Sequence, residues 1–188
     1  MPIESVPLTL QLAGPGFYLR PWQEHDAPAL ADAARESVAN VGRWLPWCSA
    51  TYGLPDAVQW IEYCRNTWQQ GDQYAFAIFD ESEQLLGSVD LKSHDRRQPC
   101  ANVGYWMRES QQRRGICTRA VALLAAFGFE RLGLQRLEIL AAEQNLASRC
   151  VAEKSGAQFE GIARRRLQVH GEALDAAVYS LIPGDRID

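Results

Sequence analysis

The sequence predicts a single mixed α/β domain, one twisted sheet with helices on both faces. Three observations carry this. The apolar period switches between two and about 3.6 residues along the chain, so strands and helices interleave. The element order is β, α, α, three strands, α, β, α and two closing strands, which is not the doubly wound order of a dinucleotide-binding fold. The 188 residues carry no internal repeat, linker or low-complexity segment, and they suit one core spanning residues 1–188.

Leu8 to Leu12 alternates leucine with polar residues, as a half-buried strand does. Gly14-Pro15-Gly16 interrupts it, and Phe17 to Arg20 resumes extended structure. Asp26 reads as an N-cap, with Pro28 in the first turn of a helix running toward Val38. Trp44-Leu45-Pro46-Trp47 is short and broken by proline, and reads as loop. Asp56 reads as the cap of a second helix. There Val58, Ile61, Tyr63, Cys64 and Trp68 approximate the helical period, and Gly71-Asp72 ends it.

Tyr74 to Phe79 and Leu85 to Leu91 read as strands around the polar turn Asp80 to Gln84. A loop at Arg96-Arg97-Gln98-Pro99 leads to a third strand, Cys100 to Met107. From about Gly115 a long helix places Ala120, Val121, Leu123, Leu124, Phe127 and Leu132 on one broad apolar face, with Gly133 at its end. Gln135 to Ala141 is a strand, parallel to the third if the crossover is right-handed. Asn145 caps a helix from Leu146 to Ser155. Gln158 to Gln168 and Ala173 to Leu181 form the closing hairpin.

Net charge is −4 and the pI about 5.4, so no global field favours nucleic acid. Basic residues cluster only locally, at Arg96-Arg97, Arg113-Arg114 and Arg164-Arg165-Arg166. The five cysteines are odd in number, lack a Cys-x-x-Cys pair and have no histidine at zinc-ligand spacing. They read as reduced thiols of a cytoplasmic protein without a metal. The N-terminus has no signal-peptide pattern, and no apolar run approaches membrane-spanning length. Oligomeric state stays open, a homodimer included.

The chemistry centres on Asn102 to Leu132, a strand, a polar turn and a helix. The turn carries Gln112, Arg113, Arg114, Gly115, Ile116, Cys117 and Thr118. N–H groups at a helix start have no intrahelical partner, and the macrodipole makes that end positive. Such a turn is an anion seat, suited to a phosphate or pyrophosphate.

The strand ending Gly104-Tyr105-Trp106-Met107, followed by Gln112-x-x-Gly115-x-Cys117, resembles the acetyl-CoA-binding segment of GNAT acetyltransferases. Asn145-Leu-Ala-Ser148 with Glu153-Lys154-Ser155-Gly156 resembles the second motif of that superfamily. Leu19-Arg20-Pro21-Trp22 with Asp26, the Gly-Tyr-Trp triplet, and the hairpin with Gly171, Asp175 and Tyr179 resemble its RimJ/RimL branch, which acetylates N-termini of ribosomal proteins. The resemblance runs through nearly the whole chain in order.

It implies a GNAT-type fold, a mostly antiparallel sheet that splays at the strand ending near Met107. It implies an acceptor-side part at about 1–70, an acyl-CoA-binding part at about 74–156 and a hairpin at about 158–182. Acetyl-CoA is the implied donor, held by Trp106, Met107, Arg108, residues 112–118, Asn145 and Ser148. A backbone N–H near Met107 would polarise the thioester carbonyl. Ser148 would protonate the leaving thiolate.

The acceptor is an amine, either a protein N-terminus or a small molecule, attacking directly. Transfer of a longer acyl group such as succinyl, or acyl-CoA binding without catalysis, are the competing readings. The branch carries a carboxylate where this chain has Leu167, so the base must lie elsewhere. Asp90 and His94 are the candidates, with a water chain as the alternative. Trp44, Trp47, Asn102 and Arg164 are the candidate acceptor contacts; three adjacent arginines on a strand alternate faces, so at most Arg164 and Arg166 would share one. Cys117 stands where the family has Gly or Ala; it reads as slightly larger, tolerated bulk, with a reactive thiolate at the helix start as the lesser reading.

Overall fold

The computed structural model describes residues 6–95 and 98–185, with the side chains of 93–95 outside that description. His94, a candidate base, has its side chain there, and Arg96 and Arg97 lie outside the described residues entirely.

The strands are β1 (Leu12–Gly14), β2 (Phe17–Pro21), β3 (Gln73–Asp80), β4 (Leu85–Asp95), β5 (Cys100–Met107), β6 (Arg136–Ala142), β7 (Gln158–Val169) and β8 (Glu172–Leu181). The helices are α1 (Ala27–Glu36), α2 (Leu54–Gln70), α3 (Ile116–Glu130) and α4 (Leu146–Lys154). One sheet runs β1-β2-β3-β4-β5-β6-β8-β7. Every neighbouring pair is antiparallel except β5 and β6, the pair joined through α3 as the crossover rule requires.

Alternation along the strands separates two cores. Tyr74, Phe76 and Ile78 of β3, with Val103 and Met107 of β5, pack against α3 residues Ala120, Val121 and Leu124. Ala75, Ala77 and Phe79 face the other way, against Ala57, Ile61 and Cys64 of α2 and Leu30 of α1. A third cluster, Ala34, Val41 and Cys48, secures the α1–α2 loop, with Tyr52 and Trp106 packed on it.

Four local expectations are corrected. Leu8 to Leu12 is not a strand: Leu10 N–H closes a turn on the Pro7 carbonyl, and the ladder begins at Leu12. Leu8, Leu10 and Leu12 still rest on the core, so the period reports burial without pairing. Asp26 does flank α1, but its carboxylate is taken by a bidentate bond from Arg20 (2.7 and 2.8 Å) and by the Gln23 N–H. Helix α2 begins before Asp56, which reaches back to accept the Gly53 N–H at 2.8 Å. Arg164 to Arg166 do not alternate faces. They form a bulge between the pairs Ala163–Ala176 and Leu167–Leu174, and all three are exposed.

Candidate active site

Strands β5 and β6 pair only at Cys100–Arg136, Ala101–Leu137 and Asn102–Glu138. Both continue, to Met107 and Ala142, but they diverge. The Arg108 N–H binds the Leu86 carbonyl of β4, and the Pro99 carbonyl accepts from Gln135 beside β6. Backbone groups alternate along a strand, so those of Val103, Tyr105 and Met107 point into the opened gap. The Met107 carbonyl is taken by Gln112 Nε2 at 3.1 Å, whereas its N–H faces the gap.

Below the gap α3 begins. Arg113 and Gly115 both hold left-handed backbone (φ 62° and 71°), coiling the turn so that Gly115 caps the helix. Apart from its own chain neighbours, no described residue lies within 4 Å of where a Gly115 Cβ would stand, so an open seat adjoins the helix start. The exposed Arg113 and the half-buried Thr118 flank this seat. Ile116 lends only its backbone, because its side chain is buried in the core. The Arg114 guanidinium is held on the Gln111 side chain. Arg108 departs further from expectation: its Nε donates to Glu36 Oε2 at 2.5 Å. The Ser110 N–H joins that carboxylate at 2.9 Å. Burial opposes ionisation of Glu36, but these bonds outweigh it and hold the acid below its usual range.

Above the seat, α4 starts at Asn145, whose side chain accepts the Ser148 N–H at 3.2 Å. From β5 the Tyr105 hydroxyl reaches Ser148, 2.9 Å from its carbonyl oxygen and 3.0 Å from Oγ. Burial raises the Tyr105 pKa well above the ordinary phenol value. Cys117 adjoins this pair, and burial pushes its thiol up to about 12. That environment disfavours a thiolate at Cys117.

The opposite face of β5 carries Asn102, Gly104 and Trp106, on the side of the α1–α2 clusters against which Trp106 packs. Asp90 of β4 lies across it, 8% exposed. Its Oδ2 accepts from Gln73 Nε2 at 2.9 Å and meets Lys92 Nζ at 3.3 Å. Its Oδ1 extends over Gly104, 2.1 Å from where a Cβ would stand, so only glycine leaves the carboxylate this position. Asp90 Oδ1 and Asn102 Oδ1 are buried without a hydrogen-bond partner among the described residues. Burial raises the Asp90 pKa against the pull of Lys92 and Gln73.

Trp47 leans edge-on against both Trp106 (5.4 Å) and Tyr52 (5.3 Å), walling this face. Trp44 instead sits under the Arg43 guanidinium, 4.8 Å from its ring centre. Trp22 and Trp60 pack within the α1–α2 core. Arg164 stands exposed on the β7 bulge. At the hairpin tip His170 Nε2 lies 2.8 Å from the Gly42 carbonyl, tying the β7–β8 turn to the α1–α2 loop. Tyr105, Gln73, Lys92, Gly104 and His170 had no site role in the sequence reading. The Gly-Tyr-Trp triplet was the one signal, since alternation sends Tyr105 and Trp106 to opposite faces.

The chain is similar to proteins of known class. The acetyltransferase (GNAT) domain family matches residues 17–158. A protein of Bacillus subtilis (strain 168) named "Putative ribosomal N-acetyltransferase YdaF" is 32% identical over 169 residues, covering 87% of this chain and 90% of that protein. The ribosomal-protein-serine acetyltransferase of Escherichia coli (strain K12) is 28% identical over 143 residues, 72% of this chain and 79% of that protein. Among solved structures, the ribosomal-protein-S5-alanine acetyltransferase of Vibrio fischeri superposes with a TM-score of 0.84 at 21% identity, covering 94% of this chain and 98% of its own. The splayed sheet, the seat at the α3 start and the match over most of the chain converge: this chain belongs to the GNAT family of N-acetyltransferases.

Proposed function

We propose that the chain transfers the acetyl group of acetyl-CoA to the α-amine at the end of a polypeptide, by direct attack in the cytoplasm. The observation that carries this is the two-sided gap between β5 and β6. One side adjoins the α3 seat and Ser148; the other adjoins the Asp90 carboxylate and the Trp47–Trp106 wall.

In this reading the seat at 112–118 binds the pyrophosphate through backbone N–H groups, with Arg113 adding charge. The free backbone of Val103 to Met107 receives the pantetheine arm, and the Met107 N–H supports the developing oxyanion. Arg108 contributes backbone only, because Glu36 holds its side chain. Ser148 faces the leaving sulfur. Asp90, reaching over Gly104, accepts the amine proton through water, and Asn102 Oδ1 accepts an N–H of the incoming amine.

An α-amine, with a pKa of about 8, is partly neutral at pH 7, so a base of modest strength suffices. The relatives described as ribosomal-protein acetyltransferases support an acceptor of this kind. The His170–Gly42 bridge joins the β7–β8 turn to the loop that carries Trp47, and in this reading it borders the acceptor side. Arg164 and its neighbours would meet acidic groups beyond that end.

The test is thiol release with peptides bearing free N-termini, the same peptides N-acetylated but containing lysine, and small amines. Products are read by mass spectrometry. The expected result is one acetyl group on the N-terminal nitrogen. Reaction with small amines alone would overturn the polypeptide acceptor, and acetyl-CoA binding without turnover on any amine would favour a non-catalytic module.

A further inference from the structure

We propose that Tyr105 is a positioning residue that sets the direction of the Ser148 proton, turning it onto the sulfur leaving the thioester. The proposal rests on the acetyl-CoA reading above.

A phenol has one proton, and a carbonyl oxygen can only accept. When Tyr105 donates to the Ser148 carbonyl at 2.9 Å, its lone pair faces Ser148 Oγ at 3.0 Å. The serine proton is then parked on the phenol, away from the gap. If the phenol proton swings to Oγ, the serine becomes the acceptor in that bond and its own proton is freed toward the gap. The two distances are nearly equal, so this exchange needs hydroxyl rotation and no backbone movement. Asn145 holds the Ser148 N–H, which keeps the backbone fixed while the hydroxyls turn. Burial keeps Tyr105 protonated through the neutral range, so it remains a donor.

The transfer then balances. The amine nitrogen bonds to the carbonyl carbon as the C–S bond breaks, its electron pair leaving on sulfur. The surplus amine proton passes through water to Asp90. The thiolate takes the Ser148 proton as the Ser148 oxygen takes the phenolic proton; bulk water then returns a proton to the phenol and Asp90 releases the amine proton to bulk water, so in all one proton moves from nitrogen to sulfur.

The experiment titrates the thiol of bound CoA by its ultraviolet thiolate absorbance, with the desulfo-CoA complex subtracted. Wild type, Y105F and S148A are compared at saturating CoA. The bound thiol is expected to ionise at lower pH in wild type than in S148A, by about one pH unit, as for a lost hydrogen bond to a charged group. Y105F is expected to reproduce most of that shift with unchanged CoA affinity. A Y105F midpoint equal to that of wild type overturns the proposal. So does a Y105F whose only change is weaker CoA binding, the signature of a helix anchor. Absence of CoA binding in wild type overturns the acetyl-CoA reading itself, and this proposal with it. Fluorotyrosine incorporation keeps the hydroxyl and makes it a stronger donor, which covers a Y105F that fails to fold. It is expected to lower the midpoint in wild type but not in S148A, and an unmoved wild-type midpoint overturns the proposal.

Discussion

The imidazole of His170, at the tip of the β7–β8 hairpin, meets the carbonyl of Gly42 in the α1–α2 loop at 2.8 Å. Two segments 128 residues apart are thereby joined, and in the proposed reading they border the acceptor side. Only glycine fits at this place in the loop, since a Cβ there would stand 2.3 Å from the carbonyls of Val38 and Cys48. A single such bond is worth about 1 kcal/mol. His170→Ala should therefore raise KM for a peptide acceptor about fivefold. The Kd for acetyl-CoA, proposed to bind on the other side of the gap, should not change. Steady-state kinetics beside calorimetry measures both.

Gly115→Ala tests the seat. The left-handed φ of 71° costs an L-residue about 1–2 kcal/mol, and no neighbouring atom adds a clash. The fold should survive with a modest loss of melting temperature. The new methyl stands in the space left for the anion, so CoA affinity should fall about tenfold or more. Equal affinity in the variant would place the pyrophosphate elsewhere.

How far the site could be read in advance follows the range of the interactions. The strand–turn–helix from 100 to 132 and the Asn145 cap were legible, because periodicity and capping act over a few residues. The partner of Arg108 was not, since Glu36 lies 72 residues away and only the closed sheet brings them together. The Leu8–Leu12 alternation was misleading because a turn can bury alternate residues as a strand does. The triple arginine had no glycine or proline to announce its bulge. Arg165 adopts φ 53° while its N–H is held by the Asp175 carboxylate at 2.7 Å.

Acid stability depends on the far end of the sheet. Arg136 binds both oxygens of Glu160 at 2.6 Å, and Ser180 Oγ donates to the same carboxylate at 2.8 Å. These bonds, Arg136 first, pull the Glu160 pKa down to about 2. The folded-state pKa lies below the unfolded value of about 4.3, so the contribution is present above that value and lost as pH falls toward 2. The pair is partly exposed, and screening keeps its worth below about 1 kcal/mol. Glu160→Gln should lower the melting temperature slightly at pH 7, and the difference from wild type should shrink between pH 4.5 and 2. A difference that is constant with pH would remove the ion pair as its cause.

Asp90→Asn should separate function from stability. Burial raises the pKa of this carboxyl, so its ionised form is disfavoured by folding at neutral pH. That penalty is present above the folded-state pKa and disappears as the acid is protonated. An amide carries no charge to desolvate and can still accept from Gln73, while Lys92, half exposed, turns to water. The melting temperature at pH 7 should therefore hold or rise. Turnover should fall about 100-fold, the scale of losing a positioned base. Wild-type turnover should increase as pH rises through the pKa of the carboxyl, and that limb should be missing from the variant. Gly104→Ala should reproduce the turnover loss with the carboxylate intact, by forcing Oδ1 from its place over β5. Thiol release followed across pH beside calorimetry checks all three, and an Asp90→Asn enzyme with the wild-type pH profile would pass the role of base to water.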